Sequence, residues 1–229
     1  MRNKSIIKKA FAATLPVLAG YAVLGIGFGI ILKIKGFGVL LAASMSIFIY
    51  AGSMQYLAID MLTGGASLVA AALTTLMVNA RHLFYGISMV DKYKGTGRAK
   101  PYLIFALTDE TYSILCNEPQ PKSIEERKYF VAVSALNQMY WVAGTVIGSF
   151  LGSVVSFNTE GIDFALTALF VTVFTEQWLG GGEHDSALVG LIGSLLCLIV
   201  FGSDSFLIPA MLLITLALTL MRRRKEART

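Results

Sequence analysis

Five stretches of this chain, Phe11–Leu32, Phe37–Ile59, Val131–Thr159, Ser186–Ser203 and Ser205–Met221, contain no Asp, Glu, Lys or Arg. A helix needs about 20 apolar residues, with a range of roughly 17–25, to cross the hydrocarbon core of a bilayer. In lipid every backbone N–H and C=O needs a partner within the protein, so stretches of this length and composition are read as helices. The expected class is an all-α, polytopic, multi-pass membrane protein with about seven to eight helical segments. Charged residues make up 14% of the 229, against about 25% in an ordinary soluble domain. The net charge of +5 is concentrated in the connecting segments and the tail. That placement suits membrane orientation and does not point to nucleic acid. Cys116 and Cys197, alone in apolar surroundings, read as small packing residues rather than a disulfide or metal pair. The first segment is too long for a cleaved signal peptide, and no soluble domain follows it.

The helical segments read as Phe11–Leu32, Phe37–Asp60, Ala66–Val90, a weaker Pro101–Asn117, Val131–Ser153, Asp163–Leu179, Ser186–Phe201 and Ser205–Met221, with Gly-rich or charged breaks between them. The two halves echo each other. Lys8-Lys9, Tyr21, Gly25 and Gly29 return 119 positions later as Arg127-Lys128, Tyr140, Gly144 and Gly148. Phe48 and Gln55-Tyr56-Leu57 return at a shift of 122 as Phe170 and Gln177-Trp178-Leu179, and Leu68-Val69 matches Leu188-Val189. The order and nearly constant offset predict a three-helix repeat within a single transmembrane domain, 1–229. The first copy covers about 8–90, a linker with a partial helix 91–126, the second copy about 127–204, then an extra helix 205–221 and a basic tail 222–229. Chance similarity between two greasy segments is the plainer explanation. Repeats of this kind are how many secondary transporters build a site at the membrane midplane.

Lysine and arginine positions bear on orientation. With inverted repeats, an outside amino terminus and a 101–117 segment that does not cross, the interior side holds Lys33, Lys35, Lys92, Lys94, Arg98, Lys100, Lys122, Arg127, Lys128, Arg222, Arg223, Arg224, Lys225 and Arg228, fourteen in all. Arg2, Lys4, Lys8 and Lys9 make four outside. Parallel repeats with a crossing 101–117 segment put those four together with Lys122, Arg127, Lys128 and the five tail residues, twelve inside against six. The positive-inside rule therefore favours inverted repeats, although the basic amino-terminal tail stands against them.

Three clusters carry polar chemistry inside this apolar frame. Asn79-Ala80-Arg81-His82 interrupts the run from Ala66 to Val90; on a helix Asn79, His82 and Gly86 share one face, and Arg81 and Tyr85 the next. Ionisable groups at such depth usually line a water-filled path or a site, while the bland reading has Arg81 snorkelling to an interface and His82 capping a bundle end. The second cluster is Phe48 to Gln55. Gly52 and Ser53 permit close backbone approach or ordinary helix packing, and Gln55 offers both a donor and an acceptor. A helix break at Gly52 would free backbone groups to hold a zwitterionic ligand. The third is Leu107-Thr108-Asp109-Glu110-Thr111, where one carboxyl pairs with Arg81 or carries a proton, or both are solvated acids of an interfacial helix. Glu176 is a weaker candidate of the same type, and Asn137, Gln138 and Trp141 are placed to line the same cavity. Among apolar side chains, Phe48, Met54 and Trp141 are candidates to meet a substrate.

No phosphate-binding Gly-Lys-Ser/Thr loop and no His-Glu-x-x-His motif occurs, and His82 and His184 are the only histidines. No cofactor is expected, and an intramembrane enzyme would have to rest on Asp109-Glu110 with a metal. A channel or uniporter with the same polar lining would also fit these residues, as would a scaffold for a partner that holds the site.

At these clusters the sequence resembles the AzlC family, the large subunit of bacterial branched-chain amino acid exporters. The resemblance rests on Tyr50-Ala51-Gly52-Ser53-Met54-Gln55-Tyr56, on Val78-Asn79-Ala80-Arg81-His82-Leu83-Phe84-Tyr85-Gly86 and on Leu107-Thr108-Asp109-Glu110-Thr111. Trp141 with Gly144 and Gly148, and Gly161-Ile162-Asp163-Phe164-Ala165, add looser support. It implies an inner-membrane secondary exporter of hydrophobic amino acids such as valine, leucine, isoleucine or methionine, with a small, separately encoded AzlD-type membrane subunit; the likeness does not name the coupling ion, and the repeats and midmembrane polar clusters add the expectation that the proton-motive force drives it. On that reading Gly52, Ser53, Gln55, Asn79, Arg81, Asn137 and Trp141 bind the substrate, and His82, Asp109, Glu110 or Glu176 carries the proton.

Overall fold

The computed structural model describes residues 2–79, 81–154, 171, 174–175, 178–179, 184–202 and 206–226. The described residues are helical with connecting turns and contain no strand. They fall into two compact units, Met1–Leu166 and Thr167–Thr229.

The first unit is organised by two long helices, α1 (Arg2–Ile34) and α8 (Ile124–Val154). Both are long and apolar enough to cross a membrane. A capping box starts α8: the Ser123 hydroxyl accepts from the Glu126 N–H (3.2 Å), and the Glu126 carboxylate accepts from the Ser123 N–H (3.2 Å) and the Lys122 N–H (2.6 Å). These bonds satisfy donors that the first helical turn leaves open. At the other extremity, α1 ends after Lys33 in a turn through Gly36, whose φ of +92° suits a residue without Cβ.

α1 and α8 run parallel and almost touch. A Cβ on Gly29 would lie 2.1 Å from the Thr145 carbonyl oxygen, and one on Gly148 would lie 2.1 Å from the Ile26 carbonyl oxygen. Higher up, Gly25 faces the Trp141 carbonyl and Gly144 faces the Ala22 carbonyl. Each contact is its partner's counterpart at a shift of 119, so the two helices meet through a self-complementary surface of the kind a two-fold axis generates. Because residue numbers rise together along the contact, from Tyr21 beside Gly144 to Ile30 beside Gly152, that axis runs along the helices. The expected inverted relation is therefore corrected for α1 and α8: an axis in the membrane plane would set them antiparallel.

Between these helices the chain makes two reversals. The expected continuous helix Phe37–Asp60 is broken into α2 (Val39–Phe48) and α3 (Gly52–Gly64). At the break Tyr50 has φ +47°, the one positive φ among described non-glycine residues. The Gln55 amide donates to the Ser46 hydroxyl at 3.1 Å, although nine residues of straight helix would separate their backbones by about 13 Å. The chain has folded back. Ala42 and Met45 of α2 and Ile59 of α3 all pack on Phe28, Ile31 and Leu32, at the carboxyl end of α1. The hairpin thus enters and leaves at the same end of the bundle, and it does not cross as the uniform hydrophobicity suggested.

α4 (Leu68–Asn79) and α5 (Arg81–Tyr93) flank residue 80 and carry the chain to the opposite end. There Met89 and Tyr93 join Ala10, Tyr129, Phe130 and Val133 in a second core. A short 3-10 turn (Lys94–Ala99) leads into α6 (Lys100–Phe105), a break at residues 106–108, and α7 (Asp109–Leu115). Leu103 of α6 and Leu115 of α7 lie in that same core, so this segment is also a hairpin, entering from the amino-terminal end of α1. Its helices, six and seven residues long, span roughly 10 Å each, far short of the ~30 Å core.

The ends of this unit differ in charge. Lys4, Lys8 and Lys9, then Lys92, Lys94, Arg98 and Lys100, then Lys122, Arg127 and Lys128 gather at the end where α1 and α8 begin; among its described residues Lys33 and Lys35 are the cations at the end where α1 finishes. Lys9 confirms the grouping, lying 3.6 Å from Glu118 and 4.4 Å from the Tyr129 ring centre. The expectation that Lys9 and Lys92 lie on opposite sides is thereby overturned.

In the second unit α9 (Asp185–Phe201) packs against α10 (Leu207–Glu226) across Gly193, where a Cβ would meet Ile214 at 2.9 Å. Leu191, Ile192, Leu195 and Ile199 of α9 are exposed, a surface that hydrocarbon tolerates and water does not.

Candidate functional site

Tyr21 fixes the depth of the site. It lies twelve residues from both Lys9 and Lys33, so about 18 Å of helix separates it from either end. Its buried hydroxyl donates to Oε2 of Glu110 at 2.6 Å and contacts the Thr108 hydroxyl at 2.9 Å. The second hairpin therefore reaches the midpoint of α1. Tyr50, at the tip of the first hairpin, meets it: its ring lies 6.3 Å from that of Phe105, and its hydroxyl faces Glu110, Tyr21 and Thr108. Two hairpins from opposite ends touch tip to tip midway along the bundle.

The helix termini at this point are treated differently. Thr108 caps α7, its hydroxyl accepting from the Thr111 N–H at 3.3 Å. α3 starts after Ala51, which supplies no side-chain cap, and its amino terminus points toward the middle of the bundle. A helix amino terminus carries partial positive charge and suits an anion. The carbonyl at the end of α2 is held from the side: Gln138 donates to the Ile47 oxygen at 3.2 Å and accepts from the Tyr102 hydroxyl at 2.9 Å, clipping both hairpins to α8.

α8 lays a buried polar stripe past these tips at helical spacing: Ser134, Asn137, Trp141, Thr145 and Ser149. Asn137 donates to the Thr111 hydroxyl at 3.0 Å. The Trp141 indole donates to Gln55 Oε1 at 2.9 Å, and the Ser46 hydroxyl bonds Thr145 at 3.0 Å, completing a relay Trp141–Gln55–Ser46–Thr145. Trp141 also stands edge-on to Tyr21 (5.4 Å) and stacks on Phe28 (6.3 Å). A Cβ on Gly52 would lie 3.1 Å from its ring, so the indole packs closely on the start of α3. Tyr50 Oη, Ser134 Oγ and Asn137 Oδ1 are buried with no hydrogen-bond partner. Buried polar atoms are nearly always paired; Tyr50 Oη and Asn137 Oδ1 lie at the tips, where a small polar ligand or water would find partners, while Tyr93 Oη and Ser149 Oγ are unpartnered elsewhere in the unit. Beside the tips lies an open, largely apolar groove lined by Ile47, Met139, Val142 and Val146 with Tyr102 and Gln138.

The sequence candidates divide accordingly. Gly52, Gln55, Asn137, Trp141 and Glu110 converge at the tips, with Ser53 and Asp109 one residue from members of the cluster. Met54 is buried, whereas Phe48 is 76% exposed and does not face the cluster core. Asn79 and His82 sit together, His82 Nδ1 lying 3.2 Å from the Asn79 carbonyl. His82 is edge-on to Tyr85, which stacks on Tyr112 at 4.9 Å. Lys92 lies on the carbonyls of Cys116 and Glu118, so α5 and α7 run alongside each other, and helical rise sets the start of α5 level with the start of α7. The side chain of Arg81, with Glu176, lies outside the described residues. Sequence reasoning missed Tyr21, Ser46, Tyr50, Thr108, Thr111 and Thr145 as polar participants. The signal for Tyr50, Thr108 and Thr111 was present, since all three stand within the three polar clusters of the sequence.

The family described as AzlC protein matches residues 16–155, which includes the second half of α1, both hairpins and α8. The branched-chain amino acid transport protein AzlC of Bacillus subtilis is 48% identical over 96% of this chain and 86% of its own length. An uncharacterized membrane protein of Helicobacter pylori is 40% identical over 96% of both chains, and the inner membrane protein YgaZ of Escherichia coli 28% identical over 80% of this chain and 77% of its own. No solved structure matches. By the extent of the family match and of the Bacillus similarity, this chain belongs to the AzlC family of membrane proteins.

Proposed function

We propose that this chain is a secondary active exporter of branched-chain and other hydrophobic amino acids, working by alternating access with a small AzlD-type membrane subunit and driven by the proton-motive force. The observation that carries the reading is the meeting of two opposed hairpins at Tyr21, with unpartnered buried polar atoms beside an apolar recess. Discontinuous helices that present half-helix termini at the midplane are the usual means by which secondary transporters hold a zwitterion. The amino acid carboxylate lies at the amino terminus of α3, beside Gly52. The ammonium lies toward Glu110, Asn137 Oδ1 and the Tyr50 hydroxyl. A valine or leucine side chain enters the recess at Ile47, Met139 and Val142. Apolar pockets of this kind separate single methylenes by only about 1–3 kcal/mol, which fits a substrate range over a single specificity. Asn79 at the end of α4, with Arg81 and His82 at the start of α5, level with the tips, completes the polar path.

Glu110 carries the coupling proton in this scheme. Its carboxylate is held by Tyr21 and its protonation state decides whether the two tips stay latched or part. The excess of basic residues at the end where α1 begins sets that end in the cytoplasm by the positive-inside rule, so the first hairpin dips in from outside and the second from inside. Reconstituted vesicles holding the chain with its small partner test the function: counterflow of valine and leucine is expected. Its absence, with the protein folded and inserted, rejects the reading, and flux indifferent to an imposed pH gradient favours a uniporter.

A further inference from the structure

The second hairpin holds its tip at Tyr21 with little helix of its own. α7 has seven residues, Asp109–Leu115, and a helix so short is not stable on propensity alone. Its amino end is tied by the Thr108 cap and by the side chains of Tyr21 and Asn137. Its carboxyl end runs into Asn117-Glu118-Pro119-Gln120-Pro121. Pro119 stands where the fourth residue after Leu115 would have offered an N–H, and Pro121 brings none either, so the carbonyls of the last turn are short of backbone donors. The Leu115 carbonyl accepts from the Glu118 N–H at 3.2 Å. Another helix supplies the rest. Lys92, in the last turn of α5, places Nζ 3.5 Å from the Leu115 carbonyl oxygen and donates to the carbonyls of Cys116 and Glu118. An ammonium has three donors, and here it meets three carbonyls. A cation at a helix carboxyl end also opposes the partial negative charge there.

The clamp has a second point of contact. Seven residues back along α5, Tyr85 stacks on Tyr112 of α7 at 4.9 Å, four residues before Cys116. Numbers rise together along this seam, so α5 and α7 are parallel, with Lys92 joining their carboxyl ends. About 9 Å of chain at helical rise separates Cys116 from Glu110 in the first turn of α7. We infer that Lys92 is a positioning residue for Glu110: by fastening the carboxyl end of α7 to α5 it sets the depth and rotation of that helix and keeps the Glu110 carboxylate on the Tyr21 hydroxyl. α5 and the second hairpin then shift as one body. The effect on flux rests on the transport reading above; the effect on α7 does not.

Lys92→Met keeps the apolar stem and removes the ammonium. In vesicles holding the full chain with its small partner, valine flux driven by an imposed pH gradient is expected to fall at least fivefold, and valine counterflow without a gradient less than twofold. Lys92→Arg is expected to restore the driven flux to within twofold of the native protein. A lysine that only stabilised the fold would lower both fluxes together. Hydrogen exchange reads α7 whatever is carried: residues 109–118 are expected to exchange at least tenfold faster in Lys92→Met, with residues 130–150 of α8 unchanged. Should Lys92→Met fail to fold, Lys92→Gln, which keeps two N–H donors and no charge, is measured in its place, with the same differences expected. Exchange at 109–118 within twofold of the native protein, or driven flux and counterflow falling by one factor, overturns the inference. A native protein without counterflow rejects the transport reading instead, and the exchange rates of α7 then judge Lys92 alone.

Discussion

The Tyr21 hydroxyl lies 2.6 Å from Glu110 Oε2, joining the midpoint of a long helix to the first turn of a half-helix that comes in from the end where α1 begins. With the Tyr21–Thr108 and Asn137–Thr111 bonds it holds the second hairpin at that depth. It also places a carboxylate where lipid on its own would expel it.

Tyr21→Phe removes the donor and keeps the ring against Trp141. Hydrogen bonds between membrane helices are worth about 0.6 kcal/mol on average, so thermal stability changes by less than about 1 kcal/mol while amino acid transport falls at least tenfold. Glu110→Gln is expected to abolish the response of transport to a pH gradient, and Asp109→Asn to leave it. Vesicle flux at a series of imposed gradients, with Tm of each variant, checks all three; a retained pH response in Glu110→Gln assigns the proton elsewhere.

The close approach of α1 and α8 gives a sharper structural expectation. A Cβ on Gly29 would meet the Thr145 carbonyl at 2.1 Å, and one on Gly20 would meet nothing within 4 Å. Gly29→Ala must push the helices apart, at about 1–3 kcal/mol for overpacking. Gly20→Ala, on the same helix, is neutral or stabilising by up to about 1 kcal/mol through helix propensity. Thermal unfolding of the two variants in one detergent reads the difference directly.

These elements show which parts of the molecule could be read from its sequence. The spans of α1, α8 and α9 followed from uncharged length, because hydrophobicity alone decides that a helix of that size is buried in lipid. The echo of Gly25 and Gly29 in Gly144 and Gly148 was visible, and the structure sets those residues face to face. Their relative direction was not visible, since glycine spacing is the same in parallel and antiparallel pairs. The reversal at Tyr50 was hidden for a similar reason: both arms of the hairpin are apolar, and hydropathy carries no sign for direction. Trp141, Asn137, Gln55 and Glu110 stood out as polar or large groups in greasy helices. Lone hydroxyls at Ser46, Thr108 and Thr145 did not, because a hydroxyl in a membrane helix usually bonds its own preceding turn.

The relay from Trp141 through Gln55 and Ser46 to Thr145 is buried throughout, and its cost of disruption follows from what is left behind. Gln55→Leu strands the indole N–H, at about 1–3 kcal/mol for a buried unpaired donor, while Gln55→Glu keeps an acceptor for Trp141. Gln55→Leu should therefore lower Tm by several degrees and loosen the α2–α3 hairpin, seen as faster hydrogen exchange in residues 46–56. An unchanged Tm in Gln55→Leu would mean that the relay does not hold the hairpin.

The hairpin itself makes the most decisive prediction, because a crossing helix and a re-entrant one differ in which side their ends reach. Residues 35 and 66 bracket α2 and α3; a segment that crosses puts them on opposite faces of the membrane, and one that turns back at Tyr50 puts them on the same face. In a background with Cys116 and Cys197 replaced by alanine, Lys35→Cys and Ala66→Cys are expected to react with an impermeant maleimide from the outside of intact cells. Lys94→Cys, at the end where α1 begins, is expected to react only after the membrane is opened. Labelling of residues 35 and 66 from opposite sides would restore a crossing helix and dissolve the tip-to-tip contact. Labelling of both from within would keep the hairpin and invert the orientation read from the basic residues. The expected pattern leaves one arrangement standing: two blind-ended hairpins, one from each face, whose shared tip forms the barrier between the two sides at Tyr21, and whose parting on either side would give alternating access.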